Sequence, residues 1–113
     1  MKTVLLGEMS FELFAKLVKT KFQVWLDKND SVELELIEAT PPRRFSSGGD
    51  TSAVFESFSL VFVGGTDRLL EQRSYLFESG QAGRFELFIV PVARDQQGIK
   101  YEAAFNRRMK DEG

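Results

Sequence analysis

The sequence predicts an α+β domain: one N-terminal helix, then about six antiparallel strands curled into a partial or complete small β-barrel. Three observations carry this prediction. Apolar residues recur at helical spacing only near the start and alternate with a period of two along most of the remaining chain. Every connection between predicted strands except one is short, and none holds the crossover helix that parallel pairing needs. Eleven Phe in 113 residues supply an aromatic core, each worth about 1.5–3 kcal/mol of transfer free energy when fully buried.

The helix comes first. Ser10 stands at an N-cap position, Phe11, Phe14, Ala15, Leu17 and Val18 follow at helical spacing, and Glu12 precedes Lys16 by one turn, which predicts a helix over about 11–19. The period then changes. In "KFQVWLD" Phe22, Val24 and Leu26 alternate with Gln23 and Trp25, and in "SVELELIEA" Val32, Leu34 and Leu36 alternate with Ser31, Glu33 and Glu35. With "DKND" as the turn, residues 21–39 read as a hairpin.

"TPPRRFSSGGDTSA", residues 40–53, is rich in Pro, Gly and Ser and reads as a mobile surface loop. Beyond it "VFESFSLVFVGG" places Phe58, Leu60 and Phe62 on one face and Phe55, Val61 and Val63 on the other. "DRLLEQ" reads as a short helical turn, "SYLFE" as a strand with Tyr75 and Phe77 on one face, and "SGQAG" as a turn. In "RFELFIVPVA" Phe85, Leu87 and Ile89 oppose Phe88, Val90 and Val92. "KYEAAFN" sets Tyr101, Ala103 and Phe105 against Glu102, Ala104 and Asn106, and residues 107–113 form a charged tail. Strands apolar on both faces require a second cover, from the helix, from sheet closure or from a subunit partner. Neither side of the long loop can build its own core, so residues 1–113 form a single domain.

Composition excludes whole classes of chemistry. The chain has no His and no Cys, which removes Ser-His and Cys-His nucleophile pairs, classical zinc sites and disulfides together. A formal charge of -2 and a pI near 5.2 provide no field to attract a polyanion, so neither nucleic acid nor a membrane surface is an expected partner. The N-terminal apolar run, Val4 to Leu6, is short and soon followed by Glu8, and no apolar stretch is long enough to span a bilayer, which makes a cytoplasmic location the expectation.

Motifs that could carry chemistry reduce to structural duties. "GGTD" lacks the further Gly and the Lys-Ser/Thr of a phosphate loop and reads as a strand-ending turn with Thr66 as cap. Glu33 and Glu35, with Glu38 nearby, share the solvated face of a strand rather than facing each other across a cleft. The basic groups at Lys16, Lys19 and Lys21, at Arg43 and Arg44, and at Arg107, Arg108 and Lys110 lie apart from the aromatics, which hold core positions. In "ARDQQGIKYEAAFN" Pro91 just upstream predicts an edge or bulge, Gly98 the turn conformation and Asp95 its cap.

The segments "FSLVFVGGTDRLLEQRSYLFES" and "FELFIVPVARDQQGIKYEAAFN" resemble an uncharacterised family of short bacterial proteins, a domain of unknown function. Its pattern runs Phe-Ser-Leu-x-Phe-x-Gly and later Leu-Phe-Ile/Leu-Val-Pro-x-x-x-Asp-x-x-Gly-x-x-Tyr-Glu-Ala-x-Phe-Asn. Leu87, Phe88, Val90, Pro91, Asp95, Gly98, Tyr101, Glu102, Ala103, Phe105 and Asn106 match it. Ser79 and Gly80 stand where the family often has His-Pro, and Arg73 where it often has Gly. The resemblance implies an accessory or assembly role linked to phage-tail-collar-like proteins.

The leading expectation is a non-catalytic binding or accessory module without cofactor or metal, acting on a protein partner or as a homo-oligomer. Its candidate interaction residues are Trp25, Arg43, Arg44, Asp95, Glu102 and Asn106. Trp25 has either an outward position or one beneath the helix. The alternative is a small carboxylate-dependent enzyme or ligand carrier with a site at the barrel mouth near Asp95, Tyr101 and Glu102.

Overall fold

The computed structural model describes residues 11–46 and 54–108, with side chains except at positions 42, 44–46, 54–56 and 106–108. The helix α1, Phe11–Lys16, is shorter than its apolar spacing predicts. The Leu17 N–H bonds the Phe14 carbonyl at 2.9 Å, which tightens the last turn, and Lys19 takes a left-handed φ of 78° that ends it. Both the N–H and the hydroxyl of Thr20 then donate to the Leu17 carbonyl, at 3.0 and 2.6 Å. Lys19 and Thr20 exchange backbone bonds with Leu36, so the chain leaves the helix already paired to the sheet. Ser10 lies outside the described residues.

Six strands follow: β1 (Lys21–Asp27), β2 (Asp30–Ser46), β3 (Val54–Gly64), β4 (Arg73–Ser79), β5 (Gly83–Asp95) and β6 (Gly98–Arg108). All pair antiparallel in the order β1-β2-β3-β6-β5-β4, and β4 pairs back to β1 through Gln23 with Glu78, Val24 with Phe77 and Trp25 with Leu76. The sheet is therefore a closed ring. Among the described residues no helix is long and apolar enough to cross a membrane.

Three features depart from the sequence reading. β2 continues to Ser46 through "TPPRRFS", which composition assigns to a loop. The ladder with β3 steps from Thr40–Ser59 to Arg43–Ser57, and this bulge holds Pro41 and Pro42, which have no N–H to give a ladder. The rest of the expected mobile loop, residues 47–53, lies outside the described residues. Between Gly64 and Arg73 the chain makes a turn and no helix. Arg107 and Arg108 belong to β6 rather than to a tail, and residues 109–113 lie outside the described residues.

The ring interior is aromatic. Phe22, Phe62, Phe77 and Phe85 are fully buried, with the Phe22 ring edge-on to both Phe62 and Phe85 at 5.6 and 6.0 Å. α1 stops one end. Its Phe14 is fully buried and reaches Phe85 at 5.8 Å and Phe105 at 5.5 Å, while Phe58 stacks on Phe105 at 4.6 Å. At the other end the buried Leu70 of the β3–β4 connection donates its N–H to the Tyr101 hydroxyl at 3.0 Å.

Past the ring, β2 beyond Glu35 and β6 beyond Glu102 keep only β3 as a neighbour in the described ladders. Three strands thus run on together from the end covered by α1.

Candidate interaction surface

Closure of the ring turns every second side chain outward, and most of these are polar, as alternation requires. On β1, β4 and β5 Trp25, Leu76 and Phe88 are not, nor are Val90 and Val92 further along β5. Trp25 pairs with Leu76 across the β1–β4 seam, and Leu76 pairs with Glu86, two residues from Phe88 on the same face. A diagonal of that kind lies within reach of long and aromatic side chains. Trp25 and Leu76 are half-buried and Phe88 is 48% exposed, so an apolar band crosses three strands.

Ionic groups frame the band. The Trp25 indole N–H donates to Glu78 Oε1 at 3.0 Å, and Arg84 Nε stands 3.6 Å from Glu78 Oε2. That Nε is sealed from solvent and has no hydrogen-bond partner among the described residues; at 3.6 Å the Glu78 carboxylate offers charge but not a hydrogen bond. One carboxylate therefore orients the indole through a hydrogen bond and offers charge to the guanidinium beside it. Trp25, Asp27, Lys28, Leu76 and Arg84 line an open depression of about 370 Å³.

The structure separates the candidate residues that the sequence groups. Trp25 faces outward from the first hairpin. Arg43 is exposed at the β2 bulge, opposite Ser57. Arg44 and Asn106 pair with Glu56 and Ser57, and their side chains lie outside the described residues. Asp95 sits in the β5–β6 turn, where its Oδ1 accepts from the Gln97 N–H at 2.8 Å and its Oδ2 meets Lys100 Nζ at 3.0 Å. The Lys100 bond, followed by the Gln97 N–H, holds the Asp95 carboxyl below the usual aspartate range. Glu102 is exposed between Val61 and Val90, whereas Tyr101, its neighbour, is fully buried in the ring. Asp95, Tyr101 and Glu102 therefore do not converge on one site.

Leu76, Glu78, Arg84 and Phe88 escape the sequence reading as interaction residues. Parity does put Phe88 opposite Phe85, Leu87 and Ile89, which is the one available signal. Glu78 carries none, because its partner Trp25 is 53 residues away.

The family described as "Domain of unknown function (DUF6916)" matches residues 9–105, and the chain belongs to it. No curated protein and no solved structure matches the chain.

Proposed function

We propose that this member of the DUF6916 family is a non-catalytic binding or accessory module, a small barrel whose outer β1–β4–β5 face docks a protein partner. The observation that carries the reading is the band of Trp25, Leu76 and Phe88, which no described segment covers. Partly exposed aromatics ringed by charge are the usual anchors of protein interfaces. An enzyme built on Asp95, Tyr101 and Glu102 has less support, since Tyr101 faces into the ring and Glu102 out of it.

The link to phage-tail-collar-like proteins that the resemblance implies supplies the first partner to test. Co-elution of the chain with such a protein, lost in Trp25→Ala and Phe88→Glu variants of unchanged Tm, is the expected result. A strictly monomeric mass together with no co-elution overturns the reading.

A further inference from the structure

The three strands that run on past the ring end in two unlike edges. β3 is paired on both sides, to β2 as far as Ser46 and to β6 as far as Arg108. The outer edge of β2 is blunted, because Pro41 and Pro42 have no N–H to offer and sit at its bulge. The outer edge of β6 has no such protection. Its ladder with β5 ends where Val90 meets Glu102, its ladder with β3 continues to Arg108 without a shift in register, and residues 103–108 contain neither Pro nor Gly. Ala104 is exposed, and among the described residues no strand pairs with the outer side of this stretch. In an antiparallel ladder every second residue turns its N–H and C=O away from the partner strand. Residues 103–108 therefore present unspent backbone donors and acceptors.

Register gathers positive charge at the same edge. Arg44 and Arg107 take the positions on either side of Glu56, Arg43 and Asn106 those beside Ser57, and Phe45 and Arg108 those beside Phe55. Four Arg thus meet one Glu at the end of this arm, in a chain whose formal charge is -2. Two of the four belong to the open strand itself.

We propose that the β6 edge over residues 103–108 takes an extended acidic segment of a partner protein as an additional strand. A peptide backbone alternates donors and acceptors at the spacing this edge presents, and its main-chain bonds supply the affinity. The arginines supply the choice of partner: exposed ion pairs add little energy each, but like charge rejects a basic segment. The β6 edge of a second copy is a poor occupant, since residues 103–108 hold two Arg and no acid. This edge lies apart from the Trp25 face of β1, β4 and β5, so the inference goes beyond the docking proposed for that face.

The test titrates the full chain, 15N-labelled, with a Thr-Glu repeat peptide, its fully N-methylated form, a Thr-Lys repeat peptide and oligothymidylate. We expect saturable shifts of the Ala103, Ala104, Phe105 and Asn106 amides with the Thr-Glu peptide, weakening as salt rises. The Thr-Lys peptide and the N-methylated peptide, which has no N–H to pair with the edge, should give none. An Arg107→Gln, Arg108→Gln double variant of unchanged Tm should bind the Thr-Glu peptide roughly five- to tenfold more weakly through loss of two exposed ion pairs. Trp25→Ala should bind it like the parent chain, which separates this site from the Trp25 face. No saturable shift with the Thr-Glu peptide, parent-like binding of the N-methylated peptide or by the arginine double variant, or tighter binding of oligothymidylate at the same amides would each overturn the proposal.

Discussion

The Trp25 indole N–H donates to the Glu78 carboxylate at 3.0 Å, diagonally across the seam where β4 pairs back to β1. The contact lies at the closure of the ring, so it reports on closure. Glu78→Ala removes the acceptor from Trp25 and the only described carboxylate beside the sealed Arg84 Nε. We expect a loss of roughly 1 kcal/mol, below the value for a fully buried charged hydrogen bond because Arg84 is partly solvated. Urea unfolding measures the loss, and tryptophan fluorescence should shift to the red.

Gly98 has a φ of 139°, and a Cβ there would collide with the Gly64 carbonyl oxygen, a backbone atom of the neighbouring strand. Gly98→Val should therefore cost about 2–4 kcal/mol through strain and a clash that no rotamer relieves. Glu102→Gln, on the exposed face, should change stability by less than about 0.5 kcal/mol. The two unfolding midpoints compared side by side check both statements.

Phe14 is the helix's only fully buried residue and touches aromatic rings from three strands. Phe14→Ala should cost about 3–5 kcal/mol, the usual penalty for emptying an aromatic core site. Amide exchange should show the helix end of the ring losing protection before the Tyr101 end, and uniform loss would contradict the picture of α1 as a local stopper.

Among the described residues two carboxyls titrate below the aspartate value of 3.8: Asp30, chiefly through its hydrogen bonds from Arg68, and Asp95, chiefly through Lys100. A depressed folded-state pKa means that the unfolded chain binds protons more readily, so each pair stabilises the fold above pH 3.8 and loses that contribution as pH falls through the lowered value. Melting curves across this acid range should show a smaller decline for the Asp30→Asn, Asp95→Asn double variant than for the parent chain. An equal decline would show that these pairs do not contribute.

Much of the fold was legible because local chemistry and global packing agree. Alternation in "KFQVWLD" and "SVELELIEA" places Phe22, Val24, Leu34 and Leu36 inside, where all four are found. In the last hairpin, Pro91 lies at a bulge, Asp95 caps the turn and Gly98 supplies its φ. Composition misleads where pairing overrides it. "TPPRRFS" reads as loop because Pro cannot donate, yet β3 accommodates both prolines at one bulge. The helix stops early because Lys19 and Thr20 bond to Leu36, a partner that periodicity does not reveal. The candidate face was less legible, since Trp25 and Leu76 are 51 residues apart by number (76 minus 25) and meet only across the closing seam.

By itself the sequence determined the strand count, the antiparallel sense, the aromatic core and the absence of His and Cys chemistry. These follow from composition, period and connection length, all local properties of the chain. Tertiary structure alone decided that the ring closes through β1 and β4, that Trp25 faces outward with Glu78, and that Tyr101 and Glu102 do not share a site. Each depends on strand order and register, which set long-range neighbours that no local pattern encodes.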